Sequence, residues 1–473
     1  MSTTSPDLLI EIDRSRRRGL RAQIEGGLRD AIGAGRLAPG TPLPSSRALA
    51  SDLGVTRGVV VGAYDQLLAE GYLVARQGAG TVVNSAPIGT DRAVARAARP
   101  AAAIIDFRPS IPELSTFPRA AWLRATRTAL QTLPDRYFGY SNPCGLRQLR
   151  GAVADYLGRV RGVVAEADQV VICNGFSHGL SLVARQLIET AHTPVAVEDP
   201  GHDGPRAELA WLGADHVSVP VDGDGLVVDQ LRRSKARAVL VTPAHQYPTG
   251  AVLAPPRRRA MIAWAREVDG YVIEDDYDAE YRYDRHPVGA MQGLAPDRVI
   301  YCGTLSKSLA PGLRLGWLVL PSPFVAPIAA SRMLIDHATS APVQATFAEF
   351  LVNGDLDRHL RRMRRVYRKR RDALVEALAH WLPDARFSGI AAGLHVLVTL
   401  PPGIDEAALV DDAAAAGIRI YALGDHRVSR TADSPAAILL GYGGLEPPEI
   451  DEGVRILADV VAKSAHPVST VRP

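Results

Sequence analysis

Lysine occurs in this chain only at positions 235, 307, 369 and 463, so a reaction that needs a lysine amine has four candidates. One of them stands in a stretch built for chemistry, YCGTLSKSLAPGLRLGWLVLP, where Lys307 follows an apolar run and a short polar turn. Thr304 and Ser306 come just before it, and Arg314 follows downstream. A lysine so placed is partly desolvated, which lowers its pKa and frees the amine to form an imine with an aldehyde. Hydroxyls at Thr304 and Ser306 and the guanidinium of Arg314 can hold a phosphate. A lone lysine at a strand end is ordinarily a solvated charge; the scarcity of lysine and the adjoining donors weigh against that here.

Three further segments supply what a phosphorylated pyridine needs. In YVIEDDYDAEYRY, Asp275 can pair with a protonated ring nitrogen and Tyr277 can donate to a ring oxygen. In CNGFSHGLSLVARQL, Gly175, Phe176 and Ser177 open a helix whose free N–H groups and dipole favour an anion. The turns VEDPGHDG and TPAHQYPTG present His202, His245 and Tyr247; His202 could stack on a ring, although an isolated histidine is more often structural. No His or Cys spacing suggests a metal. Cys144, Cys173 and Cys302 are too far apart for a disulfide framework and read as reduced bystanders.

These motifs need a scaffold, and nearly every one follows a short Val/Ile-rich run: VVICNG, TPVAVED, AVLVTP, YVIEDD, RVIYCG or LGWLVLP. Such runs alternating with helical patterns predict an α/β domain with a mainly parallel sheet, whose ligands sit outside the carboxyl ends of the strands. A length of 473 residues exceeds one ordinary domain, and 47% apolar with 22% charged residues is globular composition. No apolar run reaches the roughly 20 residues of a membrane span, and the start lacks the apolar stretch of a signal peptide, so a cytoplasmic location is expected.

The first part of the chain reads differently. Leu20, Ile24, Leu28 and Ile32 make one apolar stripe on a packing helix. Ser45 can cap a second helix, and Thr56 a third on which Val60, Tyr64 and Leu67 face inward. That is helix-turn-helix spacing, with Arg57 at the exposed start of the third helix. YLVARQGAGTVV then predicts a hairpin with a glycine-rich tip. The net charge of +3 neither demands nor excludes nucleic acid. The Ala/Arg/Pro-rich stretch that follows suits a linker, giving domains at 1–85 and 105–473 joined by 86–104.

The string GRLAPGTPLPSSRALASDLGVTRGVVVGAYDQLLAEGYLVARQGAGTVV resembles the GntR-type winged helix-turn-helix, a dimeric reader of operator DNA. That resemblance implies DNA contacts from Ser46, Arg47, Thr56, Arg57, Gly78, Gly80 and Thr81. The lysine motif and its partners, in this order, resemble fold-type I pyridoxal-phosphate (PLP) enzymes of the aminotransferase class. The implied fold is a large α/β domain with a small C-terminal α+β domain. YFGYSNPCGLRQLRGAVADYLGRVRGV matches that class too, and implies that Tyr140 reaches the phosphate of the neighbouring subunit in a homodimer. The fusion as a whole resembles the MocR family of bacterial regulators. It implies a large domain turned from catalyst to sensor, responding to PLP itself or to an amino compound that forms an aldimine. A working aminotransferase with an accessory DNA-binding module is the alternative.

The chain departs from aminotransferases at several points. Tyr247 stands where they place Asn before Pro-Thr-Gly, and AAILLGYGGLEP lacks their C-terminal carboxylate-binding Arg, for which Arg427 and Arg430 are the nearest substitutes. His202 replaces an aromatic ring, and Gly204 stands where a GABA-responsive member would carry an Arg. These departures favour a sensor over an enzyme and leave an amino-acid effector less secure than the cofactor.

Overall fold

The computed structural model describes residue 12 and residues 19–76, 80–84, 105–283, 288–389, 391–428 and 435–465. The chain divides into two compact units, residues 1–99 and 100–473. The stretch expected as a linker, and Gly78, lie outside the described residues.

The first unit contains α1 (Leu20–Gly33), α2 (Ser46–Asp52) and α3 (Arg57–Ala69), then an antiparallel pair, β1 (Leu73–Arg76) and β2 (Gly80–Val83). Most of the expected stripe is in its core: Ile24 and Leu28 of α1 are fully buried against Val60 and Leu67 of α3, with Ile32, Leu73 and Val83 in the same cluster, while Leu20 is only half-buried. Ser45 caps α2, its Oγ accepting from the Ala48 N–H at 3.2 Å. Thr56 behaves otherwise than expected. It occupies the N-cap backbone position of α3 in an extended conformation, but its hydroxyl makes no capping bond. The Tyr64 hydroxyl donates to the Pro44 carbonyl at 2.9 Å and ties α3 to the loop before α2.

The second unit opens on a two-residue strand, β3 (Ile105–Asp106). Its main sheet comprises β4 (Val170–Cys173), β5 (Val195–Asp199), β6 (His216–Asp222), β7 (Gly225–Leu226), β8 (Ala238–Val241), β9 (Tyr271–Asp276), β10 (Val299–Thr304) and β11 (Gly316–Val319). Their spatial order is β4-β11-β10-β9-β8-β5-β6-β7. The run β10-β9-β8-β5-β6 is parallel throughout, while β11 is antiparallel to both neighbours and β7 to β6. Strands β4, β8, β10 and β11 are buried along their whole length because both faces are covered, whereas β6 near the sheet edge includes exposed residues. Within β9, Val272 packs into one core cluster and its neighbour Ile273 into another, as do Val239 and Leu240 of β8.

Beneath the carboxyl end of β9, Arg161 and Asp276 form a buried pair at 2.7 Å, with the Tyr301 hydroxyl also donating to Asp276. A C-terminal layer holds a four-stranded sheet, β12 (Arg386–Ser388), β13 (His395–Thr399), β15 (Tyr421–Ala422) and β16 (Ala437–Gly441). Helices Asp355–Trp381, Glu406–Ala415 and Pro447–Ala465 belong to it. The remaining strand, β14 (Ile418–Arg419), pairs in parallel with β3 rather than with this sheet. No helix among the described residues is long and apolar enough to cross a membrane.

Candidate functional site

At the carboxyl ends of β4, β5, β8, β9 and β10 the chain leaves the sheet five times, and the residues just beyond surround a cavity of about 440 Å³. Phe176 and Ser177 reach it from the turn after β4, His202 from that after β5, and Tyr247 from that after β8. Asp275 and Tyr277 come from the end of β9, and Thr304, Ser306 and Lys307 from that of β10; Arg314 completes the wall. Sequence positions more than a hundred residues apart are thus gathered at one spot.

Lys307 is half-buried on the tight turn after β10, which the Tyr281 hydroxyl holds by donating to the Lys307 and Ser308 carbonyls at 3.2 and 3.3 Å. Burial pushes the lysine pKa down, opposed by the carboxylates of Asp278 and Asp275. The result is an amine closer to its nucleophilic form than a surface lysine.

An anion cradle lies beside it. Thr304 Oγ1 and Ser306 Oγ are 2.9 Å apart, and the Ser306 N–H donates to Thr304 Oγ1 at 3.2 Å. Gly175 caps the helix Phe176–Glu189 with φ of +89°, and a Cβ there would stand 3.2 Å from the Arg314 guanidinium. Arg314 is itself held in the left-handed region at φ +48°, with Nη2 donating to the Asn174 carbonyl at 2.7 Å. A non-glycine residue in that conformation is strained and persists only where its surroundings impose it. Here it keeps the guanidinium over a helix N-terminus, where an anion gains from both.

Asp275 is half-buried in the cavity wall, and its Oδ1 is a buried acceptor without a hydrogen-bond partner among the described residues. Burial, then Asp276 and Asp278, push its pKa well above the carboxylate range. Such a group calls for a cationic N–H, and a pyridinium nitrogen would be one. Burial and the nearby Asp278 push the Tyr277 hydroxyl well up, so it stays a donor at neutral pH. The residues present therefore fit PLP: an amine for the aldehyde, an acid for the ring nitrogen, a phenol for the ring oxygen, and a phosphate cradle.

Tyr247 is packed rather than solvated. Its ring lies 5.1 Å from those of His202 and His395 and 5.2 Å from that of His426, and its N–H donates to Thr242 Oγ1 at 3.1 Å. Thr242 in turn donates at 2.6 Å to the buried Glu198, whose carboxyl burial pushes up to about 7. The turn is also knit internally, Gln246 Oε1 accepting from Thr249 N and Oγ1.

Some expectations fall elsewhere. Tyr140, expected at the phosphate of a neighbouring subunit, is 88% exposed, its ring 5.0 Å from that of His337. Arg427 is half-buried at the end of a short helix, and Arg430 lies outside the described residues. Conversely, sequence reading missed Arg108, Ser110 and Thr242, which line the cavity, and Asp278, whose Oδ2 lies 3.0 Å from His245 Nδ1. Asp278 was visible in the acidic cluster. Arg108 and Ser110 sit in a loop with no motif, although Ser110 betrays itself structurally through φ of +59°.

In the first unit Arg47, Thr56, Arg57 and Gly80 are exposed, while Ser46 and Thr81 are half-buried. Arg57 Nε donates to Ser46 Oγ at 3.3 Å, which joins the starts of α2 and α3 into one polar surface.

Two family profiles match the chain: bacterial regulatory proteins of the gntR family over residues 20–83, and aminotransferase class I and II over residues 112–423. It is 35% identical over 442 residues to the HTH-type pyridoxine biosynthesis transcriptional regulator PdxR of Corynebacterium glutamicum, covering 92% of this chain and 95% of that protein. It is 33% identical to the probable rhizopine catabolism regulatory protein MocR of Rhizobium meliloti, covering 95% of each. Among solved structures, a multiple substrate aminotransferase from Thermococcus profundus superposes with a TM-score of 0.70 at 27% identity, covering 77% of this chain and 92% of that one.

Proposed function

Because this chain belongs to the MocR-type family of transcriptional regulators, a gntR-type reader fused to an aminotransferase-type domain, we propose that it binds PLP at Lys307 and couples cofactor or effector occupancy to operator binding. The observation that carries this is the buried, partnerless Oδ1 of Asp275 beside a desolvated lysine and a phosphate cradle. Bound PLP supplies an electrophilic carbon for a primary amine. In this reading the chain's own residues do the rest. Arg314, Thr304, Ser306 and the helix N-terminus at Gly175, Phe176 and Ser177 hold the phosphate; Asp275 keeps the ring nitrogen protonated; Tyr277 donates to the ring oxygen; His202 and Tyr247 wall the ring side. Tyr140 serves the phosphate of a second protomer in a homodimer.

The reader comprises residues 1–85 and the sensor residues 105–473, joined by 86–104, in a cytoplasmic protein. Ser46, Arg47, Thr56, Arg57, Gly78, Gly80 and Thr81 face the duplex. Thr56 suits this, since its hydroxyl is not consumed in capping. A ligand shifts a regulator only by binding its two conformations unequally. The test is therefore operator affinity measured without ligand, with PLP, and with PLP plus an amine. The likeness to PdxR favours PLP alone as the signal. An operator affinity unmoved by PLP would eliminate that version. Sustained transamination at ordinary enzyme rates would overturn the regulatory reading.

A further inference from the structure

The helix Asp355–Trp381 carries RHLRRMRRVYRKRR, residues 358–371, in which nine of fourteen residues are Arg or Lys and none is acidic. The structure sorts these cations into two sets. One set is used internally: Arg364 and Arg368 donate to the carbonyls of Glu280 and Tyr283, and the buried Arg370 pairs with Glu113 and Glu446. The other set faces out. Arg361, Arg365 and Lys369 are exposed and have no side-chain partner among the described residues. Spaced four residues apart, they form one row on the helix surface.

The row has cationic neighbours. Arg358, 57% exposed, continues it toward the helix start, where it shares Asp355 with Arg124 of the helix Arg119–Thr132. Arg362 and Arg119 donate to the adjacent carbonyls of Thr116 and Ser115. The carboxylates at its two ends, Asp355, Asp357 and Asp372, are each already paired with an Arg. The surface is therefore uncompensated along its middle.

A solvated basic face is the ordinary outcome for an Arg-rich chain. Here, however, three like charges stand one turn apart without a counter-ion, and this mutual repulsion persists where a scatter of carboxylates would have relieved it. We propose that this row is a second nucleic-acid contact, binding the phosphate backbone of duplex DNA outside the base pairs read by the first unit. The eight residue steps from Arg361 to Lys369 span about 12 Å at 1.5 Å each, a length over which a duplex presents about seven phosphate charges. A polyanion held by the reader on the same chain is present at high effective concentration, so weak contacts add to affinity. The row reads no bases; it fixes position and strengthens binding.

The proposal rests on the regulatory reading, and its test separates the two. The full-length, cofactor-loaded protein and the variant Arg361→Gln/Arg365→Gln/Lys369→Gln are compared on two duplexes, one spanning only the mapped operator and one extending several helical turns beyond it. On the long duplex the variant should lose about 2.7 from the slope of log affinity against log salt, at roughly 0.9 per phosphate contact. Going from about 200 to about 50 mM salt, it should then gain about 40-fold less affinity than the parent. On the short duplex the two should match. Equal slopes on the long duplex overturn the proposal while leaving the regulator intact. An effect confined to RNA or anionic vesicles assigns the row to another polyanion and overturns it equally. Failure of the unmodified protein to bind either duplex overturns both readings. Retention of the visible cofactor band shows that the variant is folded.

Discussion

Replacing Asp275 by Asn should move the cofactor-free and cofactor-loaded proteins in opposite directions. In the cofactor-free protein Asp275 is half-buried, its Oδ1 is buried without a partner among the described residues, and desolvation holds its pKa well above the unfolded value of about 3.9. The sign follows from proton binding. The folded state keeps this proton to a higher pH than the unfolded state, so the group makes stability fall as pH rises from about 4 to its folded pKa. The loss is about 1.4 kcal/mol per pH unit within that window. In Asp275→Asn this component vanishes, so the stability gap between variant and parent should shift in the variant's favour by that amount per unit. Glu198 and Glu274, each pushed up to about 7 by burial, contribute the same sign in both proteins and cancel apart from the coupling of Glu198 to Asp275. With PLP bound the carboxylate has its cationic partner. Losing a hydrogen bond to a charged group, at about 1.5–3 kcal/mol, should weaken cofactor affinity about 10- to 150-fold. All five tryptophans, at 122, 211, 264, 317 and 381, lie in the second unit, so denaturant unfolding followed by their fluorescence reports on it alone. A parent and variant with parallel stability curves between about pH 5 and 8 would refute the argument.

Lys307→Ala should abolish the visible absorbance of the PLP-loaded protein; a retained band would move the attachment to Lys235, Lys369 or Lys463. Arg57→Ala should weaken operator binding by about 1–3 kcal/mol and relax sequence preference, as measured by anisotropy across operator variants. Ser45→Ala should cost the first unit about 1 kcal/mol by removing the cap of α2, seen in far-ultraviolet dichroism but not in tryptophan fluorescence. Arg161→Leu strands Asp276 in the interior and should cost about 3–5 kcal/mol in the fluorescence-detected transition, unlike loss of the exposed pair Arg185 with Glu189.

Much of this was legible in the sequence because the informative signals are local. Each strand is a short Val/Ile run, and the residues expected to hold the cofactor follow those runs within a few positions, so a parallel sheet brings them together. The α1 stripe and the Ser45 cap are local in the same way. What could not be read depends on tertiary contact. Arg108 and Ser110 face the cavity because β3 pairs with β14 more than three hundred residues later. His395 and His426 surround Tyr247 from a different sheet and a short helix. Thr56 shows the reverse limit: the residue type allowed a capping bond, and the rotamer did not make one.

The pairing of β3 with β14 has a mechanical consequence. Ile105 and Asp106 are the first described residues of the second unit, and Asp106 accepts from the Tyr421 hydroxyl at 2.9 Å while Arg419 lies 3.4 Å away. Two residues further on, the same strand end becomes cavity wall at Arg108 and Ser110. Strand β3 and the cavity wall at Arg108 and Ser110 are consecutive stretches of one backbone, stitched by β14 to the C-terminal layer. A ligand pressing on that wall would therefore load the β3–β14 pairing directly, with no relay of side chains in between.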